Sequence, residues 1–196
     1  LLCEQAITLC EIGFGENDIH EKLTKYERAR NYAIEALYID ERNAEANLAF
    51  VFSNFRLYEI TNNCALRLSL AKDAKESLDI ALQQINNDKT NFFLGIWHLE
   101  IAQLHILQIK NTVDVLGYVP ICSLDDALQH FRKAINKNPK RNTYYFYAAK
   151  CAYQLGDNNL VRQLLHKGTL IPPYFPDDMK ASEDMNILKK ILKETI

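Results

Sequence analysis

Glycine and proline are scarce in this chain, at six and five in 196 residues. That is too little turn-forming material for a sandwich or barrel of many short strands. No apolar run approaches the ~20 residues a membrane-crossing helix needs, so no membrane segment is expected. Cysteine offers no framework: Cys3, Cys10, Cys64, Cys122 and Cys151 are odd in number and never form C-x-x-C. Neither a complete disulfide set nor a zinc knuckle is therefore expected. Each sits among apolar neighbours, where a thiol acts as a small hydrophobe. A charge excess is missing too, since 23 Lys and Arg face 25 Asp and Glu for a formal net charge of −2. Over the whole chain, nothing marks nucleic acid as the main partner. Hydrophobic residues at 48% and charged residues at 24% are ordinary globular usage, which excludes disorder.

Catalytic and metal signatures are also lacking. His98 and His105 stand seven residues apart, roughly 10 Å by helical rise, too far to share one ion. No H-E-x-x-H pair exists, and Gly13-Phe14-Gly15 lacks the third glycine of a dinucleotide fingerprint. There is no phosphate-binding loop and no nucleophile elbow. The acidic groups Glu16 to Asp18, Asp125-Asp126 and Asp177-Asp178 precede expected helices, where the positive end of the helix dipole accounts for them. No catalytic residue, no metal and no cofactor is expected. The chain opens at Leu1 without a methionine or a basic leader, so any targeting segment is expected to have been removed. Unpaired thiols favour a reducing interior, and the compartment stays open between cytoplasm and periplasm for a soluble chain.

What is present is helical periodicity. Segments 21–39, 44–60, 66–85, 91–109, 124–137, 143–155, 158–169 and 180–194 repeat apolar residues every three or four positions. Asn43 and the run Ser123-Leu124-Asp125-Asp126 read as helix starts, and Gly156-Asp157 as one helix's stop and the next one's cap. The fold class is all-α. Within it a finer motif recurs at offsets 0, +4 and +7: Ala29, Ala33, Ala36; Ala74, Leu78, Ala81; Ala127, Phe131, Ala134; Val161, Leu165, Gly168. Short side chains at both ends of a stripe let another helix approach closely, as stacked antiparallel hairpins require. A break follows each stripe, at Glu41 to Asn43, Asn86-Asn87, Asn138-Pro139 and Pro172-Pro173.

Small–variable–small spacing with a proline about five residues later resembles the second helix of the tetratricopeptide repeat, a unit of about 34 residues. Residues 142–173 are the best copy, with Tyr145, Ala148-Ala149, Gly156, Val161, Leu165, Gly168 and Pro173 in register. Residues 127–139 (ALQHFRKAINKNP) and 26–43 also fit, although Glu41 and Asn86 stand where proline is usual and Gly168 where alanine is. The stripes start at unequal intervals, so two units are expanded, by longer first helices and a loop over 111–122. The order LGIWHLEIA at 94–102, LGYVP at 116–120 and LIPPYFPDD at 170–178 is similar to divergent relatives of the regulators of microtubule dynamics, which include bacterial members. The resemblance implies a single domain over 1–196: hairpins at about 1–43, 44–87, 88–139 and 142–173, stacked as a short right-handed superhelix. A capping helix at about 180–194 would close it.

In that family the first helices line the concave face. The implied lining is Leu48, Phe52, Phe55 and Arg56, then Phe92, Ile96, Leu99 and Glu100, then Phe146, Lys150 and Tyr153. Helix spacing alone leaves open whether these rings line a groove or fill the core. The chaperone-tail binders of the family clamp a C-terminal carboxylate with Lys and Asn, and Leu48 and Phe52 stand at those positions, so no such clamp is expected. Tyr144, Tyr145, Tyr147 and Tyr153 lack a surrounding basic stripe, which argues against base stacking. The function implied is a non-catalytic scaffold binding a peptide or helix of a partner protein. Self-association as a structural module and a microtubule-associated role stand as alternatives.

Overall fold

The computed structural model describes residues 1–117 and 121–194, apart from the side chains of 104–116 and 193–194. Its elements are α1 (Leu2–Gly15), α2 (Ile19–Ile39), α3 (Ala44–Ile60), α4 (Cys64–Gln84), α5 (Asp88–Leu116), α6 (Leu124–Lys137), α7 (Asn142–Gln154), α8 (Asn158–Thr169) and α9 (Pro176–Glu194). Among the described residues the fold is all-helical, as expected. Among the described residues, no helix is long and apolar enough to cross a membrane.

Short polar side chains start most helices. A side-chain oxygen accepts a backbone N–H from His20 at Asp18 (2.7 Å), from Ala46 at Asn43 (2.9 Å) and from Leu66 at Asn63 (3.0 Å). Asn87, Ser123 and Asp157 do the same for Thr90 (2.8 Å), Asp126 (3.0 Å) and Leu160 (2.9 Å). Each cap satisfies a donor the helix cannot, worth about 1 kcal/mol. Between α7 and α8 the chain turns through Gly156, whose φ of +78° is the left-handed conformation that favours glycine. There the Asp157 N–H reaches the Ala152 carbonyl at 3.0 Å and the Gly156 N–H that of Tyr153 at 3.0 Å, closing the helix before Asp157 caps the next.

Two elements differ from the sequence expectation. Helix α1 lies outside the eight periodic segments, yet it buries Ala6, Cys10 and Gly13, again at offsets 0, +4 and +7. Helix α5 continues to Leu116, through residues expected to begin a loop at 111. Asn, Thr, Val and Asp there are mediocre helix formers, but no Gly or Pro stops the helix before Gly117, which has φ +76°.

Contacts divide the chain into two compact units. The first holds Leu1–Asn86 and Glu100–Ile121. Within it α1 packs on α2, α3 on α4, and α3 also on both α1 and α2. The alanine stripe of α2 and the Ala74–Leu78–Ala81 stripe of α4 are buried, so the small residues serve as close helix contacts. Ala6, Cys10, Ala29, Ala33, Ala49 and Phe50 form one cluster across α1, α2 and α3. Arg30 of α2 then ties two neighbours together, donating to Asn54 Oδ1 of α3 (2.7 Å) and Asp73 Oδ2 of α4 (3.1 Å).

The second unit holds Asn87–Leu99 and Cys122–Ile196. Here α6 packs on α7, α7 on α8, and α9 on both α7 and α8. The stripes Ala127–Phe131–Ala134 and Val161–Leu165–Gly168 are buried. Phe131 lies directly against Gly95 of α5: a β-carbon there would stand 2.5 Å from its ring. Asp178, 1% exposed, fastens α9. It accepts from Thr143 Oγ1 (2.6 Å), the Thr143 N–H (3.3 Å), Arg141 Nε (3.2 Å) and the Phe175 N–H (3.3 Å).

Candidate functional site

Helix α3 carries the first group of expected lining residues, and its neighbours bury most of it. Leu48 and Phe55 are buried, while Phe52 is half-buried against the Ala6–Ala49 cluster. Arg56 is only 5% exposed. Its guanidinium lies over two rings, 4.3 Å from the centroid of Phe14 and 4.9 Å from that of Phe52. Nη1 pairs with Glu59 Oε2 at 2.8 Å. An aromatic–cation–aromatic layer keeps the charge stabilised by ring quadrupoles where water is scarce. Phe14 belongs to it and went unrecognised because α1 did.

Glu100, also in the first unit, is 16% exposed and engaged internally. It lies 3.6 Å from Arg67 Nη2 and accepts from Tyr58 Oη at 3.4 Å, while Arg67 stacks over the Tyr58 ring at 4.2 Å. Burial first, and then the Glu100 charge, push the Tyr58 phenol up, so it remains a neutral donor.

In the second unit the expected residues separate by depth. Phe92 and Ile96 are buried, and Leu99 is at 0% exposure. Phe92 sits among rings, 4.7 Å from Tyr144, 5.3 Å edge-on from Tyr147 and 6.0 Å from Phe131. Beneath, Asp88 accepts from Tyr144 Oη (2.9 Å) and Asn138 Nδ2 (3.0 Å). Burial alone would raise the Asp88 carboxyl, but these hydrogen bonds outweigh it and hold it below the usual range. Tyr144 is thus committed to structure.

The α7 residues lie nearer solvent. Phe146 and Lys150 are half-buried, and Tyr153 is 44% exposed. Spaced 0, +4 and +7, they share one helix face. Tyr147 extends it: its ring stands 5.5 Å edge-on from Phe146, and Lys150 Nζ is 5.8 Å from its centroid. Sequence reasoning weighed Tyr147 only for base stacking, although its i,i+3 relation to Lys150 signals a shared face. Among the described residues no group of three or more His, Cys, Asp or Glu is placed to hold a metal ion. All five cysteines are free thiols. Burial pushes the Cys151 thiol up to about 12.

Helices packed through small-residue stripes, with aromatic and cationic side chains on α3 and α7, define an all-helical fold that resembles the tetratricopeptide type. Residues 1–194 match the Regulator of microtubule dynamics protein 1-3 family, and the chain belongs to it. Regulator of microtubule dynamics protein 3 of Rattus norvegicus is 31% identical over 121 residues, covering 60% of this chain and 26% of that protein. Regulator of microtubule dynamics protein 1 of Caenorhabditis elegans is 28% identical over 123 residues, covering 59% of this chain and 52% of its own length. The match thus spans about a quarter to a half of these relatives. The crystal structure of MamA superposes with a TM-score of 0.54 over 91% of this chain and 89% of MamA, at 16% identity, a likeness of fold.

Proposed function

We propose that the chain is a non-catalytic scaffold that takes a peptide or helix of a partner protein against its first-helix faces. One observation carries the reading: Phe146, Lys150 and Tyr153 share an α7 face with access to solvent, above the bed formed by Tyr147 and Phe92. Such a face offers ring area for burial with a cation beside it, the composition of an interaction hot spot. In the first unit, Phe52 and Arg56 offer the same combination in a deeper setting, with Leu48 and Phe55 as its support. Ile96 and Leu99 lie too deep to touch a guest and act by holding α5 in place. Family membership and the repeat fold support a scaffold over an enzyme.

One buried aromatic anchor contributes ~2–4 kcal/mol to such an interface. Phe146→Glu is expected to abolish capture of the partner in a pull-down from native lysate while the helical circular dichroism signal is kept. Loss of that signal would make the ring core and end the reading. Light scattering over a concentration series separates this scaffold from a self-associating module. The relatives' names support a second reading, action on microtubules. Co-sedimentation with polymerised tubulin tests it, and a chain that stays in the supernatant at saturating polymer refutes it.

A further inference from the structure

The near-neutral total hides a strong segregation of charge. Residues 127–176 carry eight Lys or Arg and one acid, Asp157. Of the eight, Arg141 pairs with Asp178. Arg132, Lys133, Lys137, Lys140, Arg162 and Lys167 make no ion pair or side-chain hydrogen bond among the described residues. Two of them, Arg132 and Lys167, line a surface cavity of about 420 Å³ in the second unit. Most of its lining stands on the second helices α6 and α8, with Pro139 and with Tyr145 of α7 completing it. Arg132 and Asn136 stand on α6, and Leu160, Gln163 and Lys167 on α8, each set at helix-face spacing, with Tyr145 of α7 between them.

We propose that this cavity docks an acidic, extended peptide segment of a partner protein. Arg132 and Lys167 would pair with its carboxylates, and Leu160 with the buried Tyr145 would receive an apolar side chain. Asn136 and Gln163 each carry a donor and an acceptor, which is what an extended backbone needs on either side. The volume falls within the range of about 300–1,000 Å³ typical of ligand pockets. The six uncompensated cations form a field that draws a polyanion toward the cavity. Nucleic acid fits less well: Tyr144 is held by Asp88, and Tyr145 alone gives no succession of ring faces for stacked bases.

The test uses fluorescence polarisation with a labelled eleven-residue peptide of three glutamate triplets separated by single leucines. Wild type should bind it, with affinity falling as salt rises from about 0.05 to about 0.5 M. Arg132→Glu combined with Lys167→Glu should weaken binding by at least about tenfold, and Arg132→Gln with Lys167→Gln by less but in the same direction. Lys133→Glu combined with Lys137→Glu, the same four-unit charge change on α6 but outside the cavity, should cost less than about threefold. Phe146→Glu should leave this binding intact, which separates it from the first-helix reading. The glutamine version of the peptide should fail. Three results overturn the proposal: no binding by wild type, an equal loss in Lys133→Glu with Lys137→Glu, or tighter binding of twelve-nucleotide oligothymidine or phosphatidylserine vesicles with the same dependence on Arg132 and Lys167. Circular dichroism checks each variant; Arg132 and Lys167 are exposed, so their replacement should leave helicity unchanged.

Discussion

Replacing Gly95 by alanine sets two opposed effects against each other in one helix. Helix propensity favours alanine by about 1 kcal/mol. Against it, the new β-carbon would lie 2.5 Å from Phe131 Cε1, 2.6 Å from Cδ1 and 3.0 Å from Cζ. Phe131 is fully buried, with the rings of Phe92 and Tyr147 at 6.0 and 5.9 Å, so it has little room to retreat. Overpacking of this kind costs about 1–3 kcal/mol. Because Phe131 is fully buried the upper part of that range, about 2–3 kcal/mol, applies, so Gly95→Ala should be net destabilised by about 1–2 kcal/mol, or roughly 3–6 °C in Tm at this chain length. Phe131→Leu removes the ring atoms that collide, so the double variant should be better than the sum of the singles by at least about 1 kcal/mol. Gly15→Ala is the control: a β-carbon added there would meet nothing within 4 Å, and the variant should be neutral or slightly stabilised. Urea denaturation followed by circular dichroism reads all four. A Gly95→Ala chain as stable as wild type would refute the packing of α5 on α6.

Asp178→Asn removes the charge from a four-donor site and should cost about 2–3 kcal/mol, with faster hydrogen exchange in α9 than elsewhere in the second unit. Unchanged protection of α9 would mean that apolar contacts alone hold it. Asp88, whose carboxyl is held low, adds stability that is complete above the unfolded-state pKa of about 4 and is lost as pH falls through the folded value. Wild type should therefore lose more stability than Asp88→Asn between about pH 5 and about pH 2.5, read from urea midpoints. Cys151, at about 12 and donating to the Leu124 carbonyl at 3.1 Å, should resist thiol reagents at pH 8 until the chain unfolds. The partly exposed Cys3, Cys64 and Cys122 should react first, and early labelling of Cys151 would contradict its burial.

The fold was largely legible because its strongest constraints are local. The 0, +4, +7 stripes announce helix contacts by size alone, and all four are buried. Asn43, Ser123 and Gly156-Asp157 mark boundaries through their own backbone chemistry. Helix α1 escaped because two of its three stripe positions, Cys10 and Gly13, are poor helix formers. Depth was not legible. Phe146 and Leu99 both occupy apolar first-helix positions, yet one reaches solvent and the other does not, a difference set by neighbours far away in sequence. Nor did the whole-chain charge reveal the cavity between α6 and α8, because acids elsewhere cancel its cations in the sum.

The two compact units interleave along the chain: one claims Leu1–Asn86 and Glu100–Ile121, the other Asn87–Leu99 and Cys122–Ile196. A ribosome therefore cannot complete the earlier unit until it has also delivered the opening segment of the later one. Nor can a protease or a gene truncation part them with one cut, since any single break leaves at least one missing a native segment.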